Sequence, residues 1–254
     1  MNELTEYKNF CKVLAETSAD VIKKYFRTRI SVELKADNSP VTIADKKAEE
    51  VMRELITKHY PADGIFGEEF GETNKDAEYT WILDPIDGTK SFICGAYSFG
   101  TLIGILRNSK PVLGAYNHPI LNDFLIGDNL ETRINGEITF VRNCNEVYKA
   151  VLLTTDHLNI EKYQDILKFN NLIKKVKLYR NWGDCFGYYL LATGYADIMI
   201  DPLMSPWDLL PLIPIIKGAG GIITDYQGND PVKGKSAVAS SPQIHSEIIS
   251  LLNN

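Results

Sequence analysis

The chain has 254 residues, 44% apolar and 24% charged, with 18 Gly and 11 Pro. That composition excludes collagen-like, disordered and disulfide-scaffold classes. With 27 basic and 33 acidic residues the net charge is −6, which disfavours a protein that coats a nucleic-acid backbone. The most apolar stretch, Leu209 to Ile216, carries Pro211 and Pro214 and falls short of the roughly 20 apolar residues of a membrane span, so no membrane partner is expected. The N-terminus, with Glu3 and Glu6, does not read as a secretory signal. Cys11, Cys94, Cys144 and Cys185 form no C-x-x-C pair, and reduced thiols in a cytoplasm are the expectation. The four histidines lack ligand spacing to any cysteine, which argues against zinc.

Along the chain, Tyr7, Cys11, Leu14, Ser18, Val21 and Tyr25 follow Leu4 at helical spacing. A second helix is predicted after Thr42, burying Ala44, Ala48, Val51, Met52, Leu55 and Ile56 and stopping before Pro61. The period then changes. Gly64 to Gly67, Tyr79 to Leu83, Thr101 to Leu106, Pro111 to Tyr116 and Asp123 to Ile126 read as strands joined by turns. After about Val141 strands and helices alternate. Strands are predicted at Val151 to Thr154, Val176 to Tyr179, Ile198 to Ile200 and Ile222 to Thr224. Helices are predicted at Ile160 to Phe169, at Asp184 to Ala192, from Ser205-Pro206 to Gly218, and after Ser241-Pro242. The class is therefore α/β with an α+β N-terminal half. The expected division is 1–142 and 143–254, two units packed as one body around a cleft.

The chemistry is concentrated in Trp81-Ile-Leu-Asp84-Pro-Ile-Asp87-Gly-Thr89. Acids at the end of a buried strand are costly unless paired or metal-bound. A turn there projects both carboxylates the same way and leaves the Ile86 carbonyl free. That donor set is hard oxygen, suited to Mg²⁺ rather than Zn²⁺ or Cu²⁺. Taken alone, the segment also reads as an Asp-rich turn with a structural glycine. An EF-hand loop is excluded, because Asp84 and Asp87 lack alternating acids after them and Phe92-Ile93 is apolar. An aspartyl nucleophile in a D-x-D-G-T motif is excluded too, since the two acids are three apart. Both are read as ligands, with no phospho-enzyme. Glu68, after the strand ending in Phe66, and Asp208, in a helical first turn, extend the set. Singly they also read as a solvated turn acid and as a helix-dipole partner.

In order, Lys35, Thr42-Ile-Ala-Asp45, Gly67-Glu68-Glu69, Trp81-x-x-Asp84-Pro-Ile-Asp87-Gly-Thr89 and Trp207-Asp208 with Gly220-Gly221 resemble the inositol monophosphatase family from about residue 30 to about 228. The resemblance implies a Mg²⁺-dependent, Li⁺-sensitive phosphomonoesterase with the layered α/β/α/β/α sandwich of the sugar-phosphatase fold, acting on a small phosphorylated metabolite as a homodimer. It implies that Glu68, Asp84 and the Ile86 carbonyl hold one ion, that Asp84, Asp87 and Asp208 hold a second, and that Glu68 with water holds a weaker third. Thr89, Asp45 and Glu68 would orient and activate the attacking water, and Gly88 and Thr89 would cradle the phosphate. Lys35 matches the family's loop lysine, though it also reads as a surface lysine.

Substrate choice lies in the loops. The sequence departs from the inositol phosphatases at Lys90-Ser91-Phe92, at Asn38-Ser39-Pro40-Val41-Thr42 and at Asn181-Trp182-Gly183-Asp184. With Phe99-Gly-Thr-Leu-Ile and Pro214-Ile, these details resemble the histidinol-phosphate phosphatases of the family. Asp184, beside Gly183, and Asp201 are two acids suited to a substrate carrying an ammonium and an imidazole. Asp184 also reads as a helix-start acid, and inositol phosphatases carry an acid at the place of Asp201. Asn117 and His118 read as strand-end structure. An inositol 1-phosphate phosphatase, a 3'(2'),5'-bisphosphate nucleotidase and a regulatory binding protein that keeps the fold are the other readings.

Overall fold

Residues 3–35 and 40–254 are described by a computed structural model; Asn38 and Ser39 of the loop motif lie outside them. Helices α1 (Glu3–Tyr25) and α2 (Ile43–His59) form where helical spacing predicts them. The buried stripe of α1 runs Tyr7, Cys11, Leu14, Ser18 and Ile22, so Ile22 rather than Val21 faces inward. On α2 Ala44, Ala48, Met52 and Ile56 are buried, Val51 and Leu55 are half-buried, and two acids, Asp45 and Glu49, lie on the buried face. Between the helices β1 (Val32–Leu34) pairs antiparallel with β2 (Pro40–Thr42).

The next stretch builds an eight-stranded sheet. Its elements are β3 (Gly64–Gly67), β4 (Gly71–Thr73), β5 (Tyr79–Asp87), the short helix α3 (Thr89–Ile93), β6 (Gly100–Arg107), β7 (Lys110–His118), β8 (Asp123–Gly127), β9 (Thr132–Ile134) and β10 (Glu137–Ile138). The strand order is β10-β9-β8-β7-β6-β5-β3-β4, antiparallel except for β3 beside β5. Strand alternation sorts the faces. Trp81, Leu83, Ile103, Ile105, Leu113 and Ala115 pack on α1 and α2, while Leu102, Tyr116 and Leu125 face the other way.

A five-stranded sheet follows, from β11 (Val151–Thr154), α4 (His157–Tyr163), α5 (Ile166–Ile173), β12 (Leu178–Arg180), α6 (Asp184–Ala192), β13 (Ile198–Asp201), α7 (Pro206–Gly218), β14 (Ile222–Thr224), β15 (Ala237–Ser240) and α8 (Pro242–Asn253). Its order is β12-β11-β13-β15-β14, with β11 parallel to β12 and β13. The single helix predicted from Ile160 to Phe169 is two, because Asp165 leaves the helix and caps α5 by accepting from Leu167 N and Lys168 N. Helices α6 and α7 lie between the sheets, and α4, α5 and α8 cover the outer face of the second. The layers are thus α, β, α, β, α, the sandwich that the resemblance implies. No described helix is long and apolar enough to cross a membrane.

Helix α7 comes close to the first sheet because three glycines stand side by side under it. Gly104, Gly114 and Gly127 pair across β6, β7 and β8. A Cβ on Gly114 would lie 1.8 Å from the Pro211 carbonyl oxygen, and one on Gly127 would lie 2.7 Å from Ile215 Cα. Gly114→Val is therefore expected to destabilise the fold by roughly 1–3 kcal/mol or more, read as a lower midpoint in chemical denaturation. An unchanged midpoint would mean that α7 docks elsewhere. The same furrow holds Pro211, one turn after Asp208, and so sets the position of Asp208 at the start of α7.

Candidate active site

Strand β5 carries buried apolar side chains up to Leu83 and then breaks register between Asp84 and Asp87. The break is held from both sides: Ile86 N donates to Asp84 Oδ1 at 3.0 Å, and Thr101 Oγ1 donates to the Pro85 carbonyl at 2.8 Å. Gly88 then turns the chain with φ +88°, and a Cβ there would lie 2.8 Å from the Ser98 carbonyl oxygen. Asp208 arrives from the first turn of α7, with Ser205 N donating to its Oδ2 at 3.0 Å. One carboxylate oxygen each from Asp84, Asp87 and Asp208 lie within 4.8 Å of one another. Asp87 accepts from Cys185 N, at the start of α6, at 2.5 Å. So β5, α6 and α7, far apart in sequence, meet at one acidic corner.

Glu68 sits in the hairpin between β3 and β4. Its N–H donates to the Leu83 carbonyl at 3.1 Å, one residue before Asp84. Lys35 Nζ reaches Glu68 at 2.8 Å and Glu69 at 2.7 Å. Burial works against the charge on Lys35, but the two carboxylates outweigh it and raise its pKa. Behind the hairpin lies Glu49, a fully buried acid to which the sequence reading assigned no role. Its i, i+4 neighbour Arg53 stands at the spacing that surface ion pairs also use, so the sequence carries no sign of the burial.

Thr89 donates to the Ile86 carbonyl at 3.0 Å, with Asp45 Oδ1 at 3.4 Å from the same hydroxyl. The other oxygen of Asp45 accepts from Thr42 N at 2.9 Å and Thr42 Oγ1 at 2.6 Å, which closes a capping box at the start of α2. Burial raises the Asp45 pKa above its ordinary value despite those bonds. Asp45 therefore stands behind Thr89, not in the cleft.

The cleft has a volume of about 710 Å³. One end is the acidic corner with Gly88, Thr89 and Lys35. The other is lined by Asp156, Asn159 and Asn181, at and just after the loops that follow β11 and β12, while Asp184 reaches the acidic corner, its Oδ2 lying 3.2 Å from where a Cβ on Gly88 would stand. The loops after parallel strands β11 and β12 are the ordinary place for a ligand to sit in such a sheet. Asp184 has φ +51°, a left-handed conformation that costs a residue with a Cβ of order 1 kcal/mol or more. Its N–H donates to Thr155 Oγ1 at 2.8 Å, and a Cβ on Gly183 would lie 2.1 Å from Thr155 Cα. Asp201 is one layer back. It is buried, and its oxygens accept from Thr155 N at 3.2 Å and from Tyr188 OH at 3.0 Å. It does not line the cleft; it fixes Thr155, which in turn holds Asp184.

Burial first, then mutual repulsion, raises the pKa values of these acids. Asp84 is pushed well above the carboxylate range by desolvation, with Glu68, Asp87 and Asp208 adding to it. Asp87 rises through desolvation and Asp208, and Asp184 through desolvation, Asp87 and Asp201. Desolvation brings Asp208 up to about 7. Glu69 also reaches about 7 by burial, against the pull of Lys35. Crowded carboxylates with this little compensation fit a hard divalent cation, since every donor is oxygen. Glu68, Asp84, Asp87, Asp208 and the Ile86 carbonyl are the groups that could share it.

The model of the inositol monophosphatase family matches residues 3–254. A chloroplastic bifunctional phosphatase of Arabidopsis thaliana is 44% identical over 94% of this chain and 70% of its own length. A histidinol-phosphatase of Chlorobaculum parvum is 34% identical over 95% of this chain and 94% of its own. Among solved structures, an inositol monophosphatase from Zymomonas mobilis superposes with a TM-score of 0.89 at 36% identity, covering 100% of both chains.

Proposed function

We propose that this chain, which belongs to the inositol monophosphatase family, is a Mg²⁺-dependent phosphomonoesterase that prefers histidinol phosphate. The observation that carries the hydrolase is the meeting of Asp84, Asp87 and Asp208 within 4.8 Å, beside Glu68 and Thr89. In this reading residues 1–142 carry most of the ligands, and 143–254 carry Asp208 and the loops that select substrate. Glu68, Asp84, Asp87, Asp208 and the Ile86 carbonyl would hold two or three Mg²⁺. When bound, the ions supply positive charge that lowers the pKa of water and stabilises the leaving oxygen.

The chain's own groups do the rest. Thr89 Oγ1 is fixed by the Ile86 carbonyl and backed by Asp45, so it can orient an attacking water. Asp45, whose pKa burial raises, is suited to take up a proton through Thr89: the hydroxyl accepts the water's proton as its own O–H passes to Asp45 Oδ1, 3.4 Å away. The backbone N–H groups of Gly88 and Thr89 face the phosphate, and Lys35 closes that end of the cleft. Completeness of the acid set argues for an enzyme over a binding protein that merely kept the fold. A homodimer is part of this reading, and sedimentation tests it.

Preference for histidinol phosphate rests on the wall of the cleft that Asp184 and the loops after β11 and β12 form. Asp184 and Asp156 line it together with the amides Asn159 and Asn181. The charge of Lys90 acts on Asp184, which leaves two acids against one cation; a neutral polyol adds none, whereas histidinol phosphate brings an ammonium and an imidazole. Relatives named histidinol-phosphatase align over nearly the whole chain. Asp184→Asn should cost the cationic substrate about 10- to 150-fold in kcat/KM, equivalent to a charge-assisted hydrogen bond of about 1.5–3 kcal/mol. Inositol 1-phosphate should lose much less. The assay is Mg²⁺-dependent phosphate release from histidinol phosphate, inositol 1-phosphate and adenosine 3',5'-bisphosphate. Equal losses on all three, or fastest turnover of the bisphosphate by the wild type, removes the histidinol reading and leaves the phosphatase standing.

A further inference from the structure

We infer that Glu49 is a positioning residue for the metal site, acting through the hairpin that presents Glu68; this rests on the reading of Glu68 as a ligand. Glu49 is fully buried on the inner face of α2. Its Oε2 accepts from Glu69 N at 2.8 Å, and its Oε1 accepts from Phe70 N at 3.2 Å and from Arg53 Nε at 2.7 Å. Arg53 also donates through Nη2 to the Gly71 carbonyl, at the foot of the same hairpin. The carboxylate therefore fills the inside of the turn from Gly67 to Gly71 and takes up its backbone donors one by one. Gly67 leaves the room: a Cβ there would lie 2.1 Å from Glu49 Oε1.

The hairpin is thus gripped on two sides. Glu68 N is tied to Leu83 of β5, and the next two amides are tied to α2. With amides 68, 69 and 70 all engaged, the Glu68 side chain keeps its place on the cleft side, next to Asp84. Lys35 offsets the charge of Glu68 and Glu69 from the cleft side, but a lysine on a flexible stem does not fix the backbone of the turn, and the bonds to Glu49 do. Outer partners of this kind fix the orientation of first ligands, and their loss typically lowers metal affinity about 10- to 100-fold.

A carboxamide at position 49 keeps the shape but turns an NH₂ toward the donors it must accept from. Glu49→Gln is expected to weaken Mg²⁺ binding to the metal-free protein about 10- to 100-fold by calorimetry. Turnover should recover as Mg²⁺ is raised, so the loss appears in the Mg²⁺ half-saturation more than in kcat. Arg53→Lys keeps the charge and loses the fork to Gly71, and should shift the same quantity by less; it serves if Glu49→Gln is too unstable to titrate. The decisive measurement is the cycle with Glu68→Ala, in whose background Glu49→Gln should cost nothing further. An equal Mg²⁺ loss in both backgrounds, or wild-type Mg²⁺ affinity in both single clamp variants, overturns the inference. If Glu68→Ala itself leaves Mg²⁺ affinity intact, the ligand assignment of Glu68 is what fails.

Discussion

Asp87→Asn is expected to lower phosphate release by about 10³-fold or more, a loss of several kcal/mol in transition-state stabilisation. The side chain lies where β5 breaks register, half-buried, with Cys185 N at 2.5 Å on one oxygen and the carboxylates of Asp84 and Asp208 nearby. An amide of the same shape keeps the packing but removes one of three charges shared by a bound cation. It also turns a donor toward the α6 amide in one orientation and toward the metal in the other. Substrate binding should suffer less than turnover, because the cradle at Gly88 and Thr89 is untouched, so kcat falls more than KM rises. The metal-free variant should melt no lower than metal-free wild type, since one repelling charge has gone. Retention of full activity by the variant, or by wild type in EDTA, would remove the metal-dependent reading altogether.

That corner could be read in the sequence because Trp81 to Thr89, which alone also reads as an Asp-rich turn, occurs in order with Glu68 and Asp208. The helices were legible for different reasons: α1 and α2 are long enough for their apolar period to repeat, whereas α7, apolar on nearly every side, shows in its Ser205-Pro206 opening and its closing glycine. Short elements carry no such repeat. Strands β1, β2, β4, β9, β10 and β15 span two to four residues each, and α3 has five, so none shows an alternation or a stripe. What fixes them is pairing with neighbours distant in sequence, such as Val32 against Thr42 or Ile198 against Ser240. Asp201 shows the limit at the site. Strand and acid were both visible, but only the fold shows that Thr155 and Tyr188 occupy its carboxylate. Glu49 shows the converse, an acid whose spacing to Arg53 matches a solvated pair and whose burial depends on a hairpin about 20 residues away.

The stability given by Mg²⁺ is expected to depend strongly on pH, small at pH 5 and largest near pH 8. The sign follows from Asp208, which burial and neighbours raise from an ordinary 3.8 to about 7 in the fold. Below the ordinary value both states hold the proton, and the acid contributes nothing. Between about 4 and about 7 the unfolded chain has released it while the metal-free fold retains it, so each step up in pH favours unfolding. If one carboxyl carried the whole shift, the cost would reach on the order of 4 kcal/mol; the acids share it as a group. Mg²⁺ displaces those protons and holds the carboxylates ionised, so it binds more tightly as pH rises and returns the stability lost, by about 2.7 kcal/mol at a hundredfold excess over Kd. His245 works in the opposite direction. Bonded to Ser240 and Thr224 away from the cleft, it is lowered by burial to about 4, and its contribution is present above 6.5 and lost as pH falls toward 4. Since Mg²⁺ does not touch that group, the difference in melting temperature with and without the ion isolates the acids. Scanning calorimetry at pH 5 and pH 8, each with EDTA and with Mg²⁺, measures it. An equal Mg²⁺ shift at the two pH values would mean that these carboxylates are not the ones the ion neutralises.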